Sequence, residues 1–249
     1  MPLYTYSEFT PKAVQPVECI KAGWELIKDQ YWLFVGLTLV AVLIGQLAPM
    51  GILMAPMMCG VYMAIFERMR GQTIEFNVLF KGFDYFGQAV IALLLHLIPV
   101  FLVMLPFGVI FASAGILMVL NQSGGEAATC VFVAFVLICA FFLILLLIGV
   151  SILFTFAYPL IVDRQMAGVD AVKLSMKAAR ANFWGLLGLS LLNALMGLLG
   201  VLCCYVGAVL VLPVGFAASA WAYRQVFGMT GTKSQYPPPP PTSFRESST

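Results

Sequence analysis

Charge is the first thing this sequence lacks. Only 10% of its 249 residues are Asp, Glu, Lys or Arg, and the stretches 30–66, 85–125, 127–162 and 181–223 contain none. A soluble domain carries about 25%. With 62% of residues hydrophobic, there is too little charge to cover a water-facing surface, so the solvent of most of the chain is lipid. A net charge of +2 argues against a nucleic-acid partner.

Histidine is almost absent. His96 stands alone, so no multi-histidine metal site is available, and a Ser-His-Asp triad would have to recruit it inside an apolar run. The cysteines Cys19, Cys59, Cys130, Cys139, Cys203 and Cys204 form no C-x-x-C pair and read as small buried hydrophobes, not as zinc ligands or disulfides. No secretory signal leads the chain, because roughly thirty mixed polar residues precede the first apolar run. Glycine and lysine do not fall at P-loop spacing. The long runs lack the ionisable groups that proton relays and ion-coupled carriers use. No catalytic residue, metal or cofactor is therefore expected.

What is present are membrane spans. Each charge-free stretch exceeds the ~20 residues that cross a ~30 Å hydrocarbon core. Lys and Arg collect in short cytoplasmic loops. With the N-terminus inside, all 13 basic residues fall on one side if the chain turns at Ala48-Pro49-Met50-Gly51, at Asn121–Glu126 and near Cys204–Gly207. The fold class expected is an all-α polytopic membrane bundle of about six spans with both termini cytoplasmic. The spans are read at about 31–48, 51–67, 88–120, 128–162, 183–203 and 206–227, inside a membrane domain 15–228. A segment 1–14 precedes it and a proline-rich tail 229–249 follows. The run 88–120 is too long for one upright helix, so either Pro99 and Pro106 kink it or part of it is re-entrant.

An internal repeat is visible. Val17-Glu18-Cys19-Ile20-Lys21, continuing to Lys28, Gln30-Tyr31-Trp32 and Gly36, matches Val169-Asp170-Ala171-Val172-Lys173, continuing to Arg180, Asn182-Phe183-Trp184 and Gly188. The offset is 152 throughout. At an offset of 157, Pro56 pairs with Pro213, Phe66 with Tyr223 and Gly71 with Gly228. Each copy reads as an amphipathic interfacial helix (15–30 and 167–182) followed by a membrane hairpin. The apolar stripes are Val17, Ile20, Trp24, Ile27 and Tyr31 in the first copy, and Val169, Val172, Met176, Ala179 and Phe183 in the second. Both copies start and end inside, which makes them parallel repeats. Trp32 and Trp184 are the expected headgroup anchors.

Polar residues inside spans are functional candidates by default, which singles out His96, Gln46 and Asn193. The bland reading is that they glue helices together. Gly60/Ala64, Gly215/Ser219 and Ala218/Ala222 permit close helix approach, by default within the monomer. Arg164, with Lys173, Lys177 and Arg180, is a candidate site for the phosphate of an anionic lipid, or alternatively a plain topological signal. The loop Gly71–Phe83 is expected to form a short interfacial helix. Pro237–Pro241 form a stiff polyproline rod that a cytosolic protein would grip, or a plain spacer.

Two motifs carry a resemblance: R-G-x-x-x-x-F-x-x-L-F-K-G-F (Arg70 to Phe83), and Y-P-L-I-V-D-R (Tyr158 to Arg164) followed by Ala171, Ser175 and Asn182. Over roughly residues 15–228 the chain resembles a broad group of uncharacterised bacterial inner-membrane proteins. That group is similar to the membrane domain attached to some glycerophosphodiester phosphodiesterases. The catalytic domain has no counterpart here, so the resemblance implies a bacterial cytoplasmic membrane and a helical fold, and no enzyme activity. The first functional reading is a non-enzymatic scaffold or accessory subunit. The second is a passive transporter or lipid-handling protein, and the third a membrane enzyme.

Overall fold

The computed structural model describes residues 9–120, 126–202 and 206–228. The proline tail, the turn at Asn121–Gly125 and the Cys203-Cys204 pair lie outside them. Among the described residues every regular element is a helix. The α-helices are α1 (Pro16–Ile27), α2 (Tyr31–Leu47), α3 (Met54–Met69), α4 (Phe86–Leu120), α5 (Glu126–Phe154), α6 (Ala157–Arg164), α7 (Gly168–Ala181), α8 (Phe183–Leu202) and α9 (Val206–Phe227). 3-10 turns occupy Lys28–Gln30, Pro49–Gly51 and Phe76–Tyr85. Pro16–Leu47, Phe76–Ile116, Thr129–Arg164, Phe183–Leu202 and Gly207–Phe227 are long and apolar enough to cross a membrane. The chain is an all-α membrane helix bundle.

Two expectations need correction, and one open alternative is resolved. The second span, expected at 51–67, is the 16-residue α3. At 1.5 Å per residue it covers about 24 Å, short of a ~30 Å core. Most of α3 is buried, so it is the centre of the bundle. The run expected at 88–120 is one helix with both prolines inside it, not a re-entrant segment. The span expected at 128–162 is broken after Phe154. Ser175 bridges that break: its hydroxyl donates to the Leu153 carbonyl at 2.8 Å and accepts from the Phe156 N–H at 3.2 Å. One side chain thus satisfies both backbone groups that the break strands.

The amphipathic helices are present, but the buried faces differ from the expected stripes. In α1 the buried residues are Cys19, Gly23 and Ile27, one turn apart, while Val17 and Trp24 face outward. The reason is Gly23: a Cβ there would sit 2.7 Å from the Ala218 nitrogen, so α1 rests backbone to backbone on α9. In α7 the buried face is Gly168, Ala171, Val172, Ser175, Ala178 and Ala179, with Val169 outward.

Close backbone approach also explains the L-F-K-G-F motif. The 3-10 segment Phe76–Tyr85 lies on α3. A Cβ at Gly60 would meet the Leu79 carbonyl oxygen at 2.1 Å, and one at Gly82 the Pro56 carbonyl oxygen at 2.2 Å. Neither position tolerates a side chain.

Several positions paired by the expected repeat occupy comparable places. Phe66 and Tyr223 stack with ring centroids 5.5 Å apart, and Tyr62 lies beside Ser219, its counterpart at the same offset. Gly71 and Gly228 end α3 and α9 with φ of +79° and +70°, the left-handed terminator that glycine adopts without penalty. Gln30 Oε1 accepts the Ile74 N–H at 3.3 Å, and Asn182 Oδ1 accepts the Ala13 N–H at 2.8 Å. The neighbourhoods differ, however: α1 packs on α9, whereas α7 packs on α4, α5 and α6.

Candidate functional site

A cavity of about 650 Å³ is lined by α3, α4, α8 and α9 and by the residues on either side of the α5–α6 break. Each helix contributes one face at the spacing that keeps side chains in line. From α3 come Met54, Met58 and Tyr62; from α8 come Asn193, Gly197 and Val201. His96 enters from α4 and Ser219 from α9, while Thr155 and Tyr158 flank the α5–α6 break. The wall is otherwise apolar, and no Asp, Glu, Lys or Arg lines it. Its volume lies in the ~300–1,000 Å³ range of small-molecule sites.

The structure therefore brings together two of the three intramembrane candidates. The His96 ring stands perpendicular to Phe154, with centroids 4.6 Å apart. Asn193 Oδ1 is buried and accepts no hydrogen bond, alone among buried side-chain polar atoms of the described residues. An unpaired buried amide costs about 1–3 kcal/mol. Gln46 is not part of the site: it is exposed near the end of α2. Ser219 donates to the Gly215 carbonyl at 2.9 Å, and Thr155 to the Ser151 carbonyl at 3.2 Å.

Below the cavity, at the charged end of the bundle, the two resemblance motifs meet. Asp163 at the end of α6 has a fully buried side chain. Arg70, just past α3, reaches its Oδ1 at 3.3 Å, and the Tyr223 hydroxyl donates to Oδ2 at 2.9 Å. Phe66, Phe156 and Phe227 wall the group in. The cluster ties α3 and α9 to the end of α6, the helix that also carries Tyr158.

The basic set is divided. Arg164 turns inward: its guanidinium donates to the Phe227 carbonyl at 3.1 Å and lies 5.1 Å from that ring. Lys173, Lys177 and Arg180 are exposed on α7, with Lys177 5.9 Å from the Phe9 ring. A four-residue phosphate cradle including Arg164 is thus not what the structure holds, because Arg164 serves the fold. Trp32 and Trp184 stand outward, 75% and 81% exposed. Asp84 is exposed as well.

Sequence reasoning missed Asp163 as the hub of an ion pair, and it missed Ser175 and Asn182 as backbone clamps. Asn182 binds the chain ahead of α1, accepting from Ala13 and donating to the Thr10 carbonyl at 3.2 Å. The available signal was a polar residue at the end of a helix. Among the described residues no three His, Cys, Asp or Glu converge as metal ligands. No known protein family, curated protein or solved structure matches the chain.

Proposed function

We propose that this protein handles lipid, binding an amphiphile taken from the surrounding bilayer in the cavity between α3, α4, α8 and α9. One observation carries the reading. An apolar cavity of about 650 Å³ has no charged side chain in its wall but carries a few uncharged polar groups, among them His96, Tyr158 and Asn193, a lining suited to an amphiphile. Enzyme chemistry finds little support in a wall whose polar groups are neutral amides and hydroxyls beside a single imidazole. The clustering of basic residues supports both termini on the cytoplasmic side, which requires α3, short as it is, to return the chain across the bilayer after α2. The matched parts played by Phe66 and Tyr223, Gly71 and Gly228, and Gln30 and Asn182 support a duplicated architecture.

Gly197 provides the test. It lines the cavity, and a Cβ added there meets nothing within 4 Å. Gly197→Phe is therefore expected to fill the cavity without disturbing backbone. Native mass spectrometry of gently extracted protein should show lipid retained by the wild type and lost in the variant, at unchanged Tm. An identical lipid complement in both would overturn the reading.

A scaffold remains a second reading, favoured by the exposed Lys173, Lys177 and Arg180 on one face of α7. Reversing those three charges should release a co-purifying partner protein if that reading holds.

A further inference from the structure

The two amphipathic helices α1 and α7 carry their charge differently. At the offset of 152, Lys21 pairs with Lys173, Lys28 with Arg180 and Trp32 with Trp184, but Glu25 pairs with Lys177 and Asp29 with Ala181. Around α1 the charges answer one another: Lys28 is ion-paired with Glu25, and Asp29 accepts from Arg68 at 2.6 Å. On α7 a lysine stands where the neutralising glutamate would be. Its single carboxylate is Asp170, in the first turn. Among the described residues Lys173 and Arg180 form no ion pair.

Lys173, Lys177, Arg180 and Trp184 follow one another at spacings of four, three and four, and all four are exposed. That spacing puts the three cations on one face of α7. The other face, from Ala171 to Ala179, is buried against the bundle. A fourth cation joins them. The Lys12 N–H donates to the Ala181 carbonyl at 3.4 Å, and the Asn182 clamp on Ala13 lays the exposed Lys12 beside the end of α7. Like charges gathered on one helix face repel, so this face calls for an anion. Trp184 fixes the depth at which the anion lies. It is 81% exposed, and an outward indole sits at headgroup level. Arg180 is one turn before it, at the level of the lipid phosphates, where surface cations attract anionic lipids. An acidic protein would have to reach the same cations through the headgroup layer that holds the indole.

We propose that the outward face of α7, with Lys12 beside it, binds the phosphates of anionic phospholipids, and that the paired face of α1 does not. The ligand is a phospholipid whose head has a net negative charge, such as phosphatidylglycerol. A zwitterionic head brings its own cation and gains less. The site is separate from the cavity and does not depend on what the cavity holds. Arg164 is no part of it, because its guanidinium is turned inward to the Phe227 carbonyl.

Trp184 and Trp32 report on the two faces separately. Each is kept in turn in the full-length protein, with the remaining tryptophans, Trp24 and Trp221 among them, replaced by Phe. The protein is reconstituted in phosphatidylethanolamine vesicles holding a minor share of phosphatidylglycerol brominated near the head end of its chains, where bromine quenches a nearby indole. This lipid should quench Trp184 as if its local concentration were about fivefold or more that at Trp32, the factor for one surface cation. Moving the bromines to the phosphatidylethanolamine should remove the excess. Lys173→Gln, Lys177→Gln and Arg180→Gln together should bring Trp184 down to the Trp32 level, as should about 1 M salt. If the tryptophan variants fail to fold, native mass spectrometry with all tryptophans in place decides. Phosphatidylglycerol should then be retained over phosphatidylethanolamine, and the preference lost in the triple Gln variant. Equal quenching of the two tryptophans, an excess at Trp184 that survives the triple substitution, or no lipid preference in the mass spectrum overturns the proposal. So does a co-purifying protein lost from the triple variant while its lipid signal is unchanged, because the face then docks a protein.

Discussion

The charged end of the bundle and the far halves of α4 and α5 are built on opposite terms. At the charged end, backbones touch. Gly23, Gly60, Gly82 and Gly185 each sit where a Cβ would come within 2.8 Å of a neighbouring backbone atom. Polar side chains there are spent on fixed partners. Along the far halves of the α4–α5 hairpin, Gly108 and Gly115 have nothing within 4 Å of an added Cβ, and Leu102, Leu105, Val131 and Leu137 are mostly exposed. The first region is specified by contacts with protein; the second needs only to be apolar and helical. The segments Arg70–Phe83 and Tyr158–Arg164 fall in the first. The cavity lies between the two, and its position allows the fixed end to hold a site open towards the lipid-facing one.

Substitutions can break this contrast. The largest effect is expected at the glycines. Gly60→Val drives a side chain into the Leu79 carbonyl and should cost about 3 kcal/mol or more, seen as loss of the folded peak in detergent chromatography. Gly108→Val is the matched control, and equal loss in both would dissolve the distinction. Next comes the ion pair. Arg70→Ala strands the buried Asp163 carboxylate and should cost about 2 kcal/mol. That is below the 3–5 of a wholly buried pair, because the Arg70 side chain is 46% exposed. In a thermal-shift double-mutant cycle, Arg70→Ala with Asp163→Asn should cost less than the sum of the two alone. A purely additive result would mean the two residues do not act as a pair.

Asn182→Ala should be milder, about 1–2 kcal/mol for its lost hydrogen bonds. Its signature is local: tryptic cleavage at Lys12 should accelerate while the rest of the chain stays protected. Smallest of all, Gly115→Ala should move stability by no more than about 0.5 kcal/mol. A larger change would place a protein neighbour where the structure shows open space.

Much of this architecture was readable in the sequence. The charge-free runs marked the long helices, and the K-x6-[KR] repeat marked α1 and α7. His96 and Asn193, singled out because a polar residue in an apolar run has few reasons to be there, both line the cavity. Gln46 was singled out on the same ground, yet it lies near a helix end, outside the cavity. Composition does not give depth. The stripes of α1 and α7 were misread for a related reason. In water, an apolar face is the buried face. In lipid, Val17 and Trp24 are as comfortable outside as Ile27 is inside, so hydrophobicity stops distinguishing them. The better guide was size: Gly23, and Ala171 with Ala178, mark where helices touch. The Asp163 hub was out of reach because Arg70, Asp163 and Tyr223 are far apart in the chain and meet only once α3, α6 and α9 are packed.

The clamp on the first residues bears on how the protein is made. Thr10, Lys12 and Ala13 are synthesised well before their partners Ala181, Asn182 and Val226. Gly23 likewise waits for Ala218. Until α9 emerges, α1 lacks its main packing partner and keeps only its contacts with α3 and α8. Assembly therefore closes in a single late step, and a ribosome stalled before α9 holds a chain whose beginning is still unprotected from proteases.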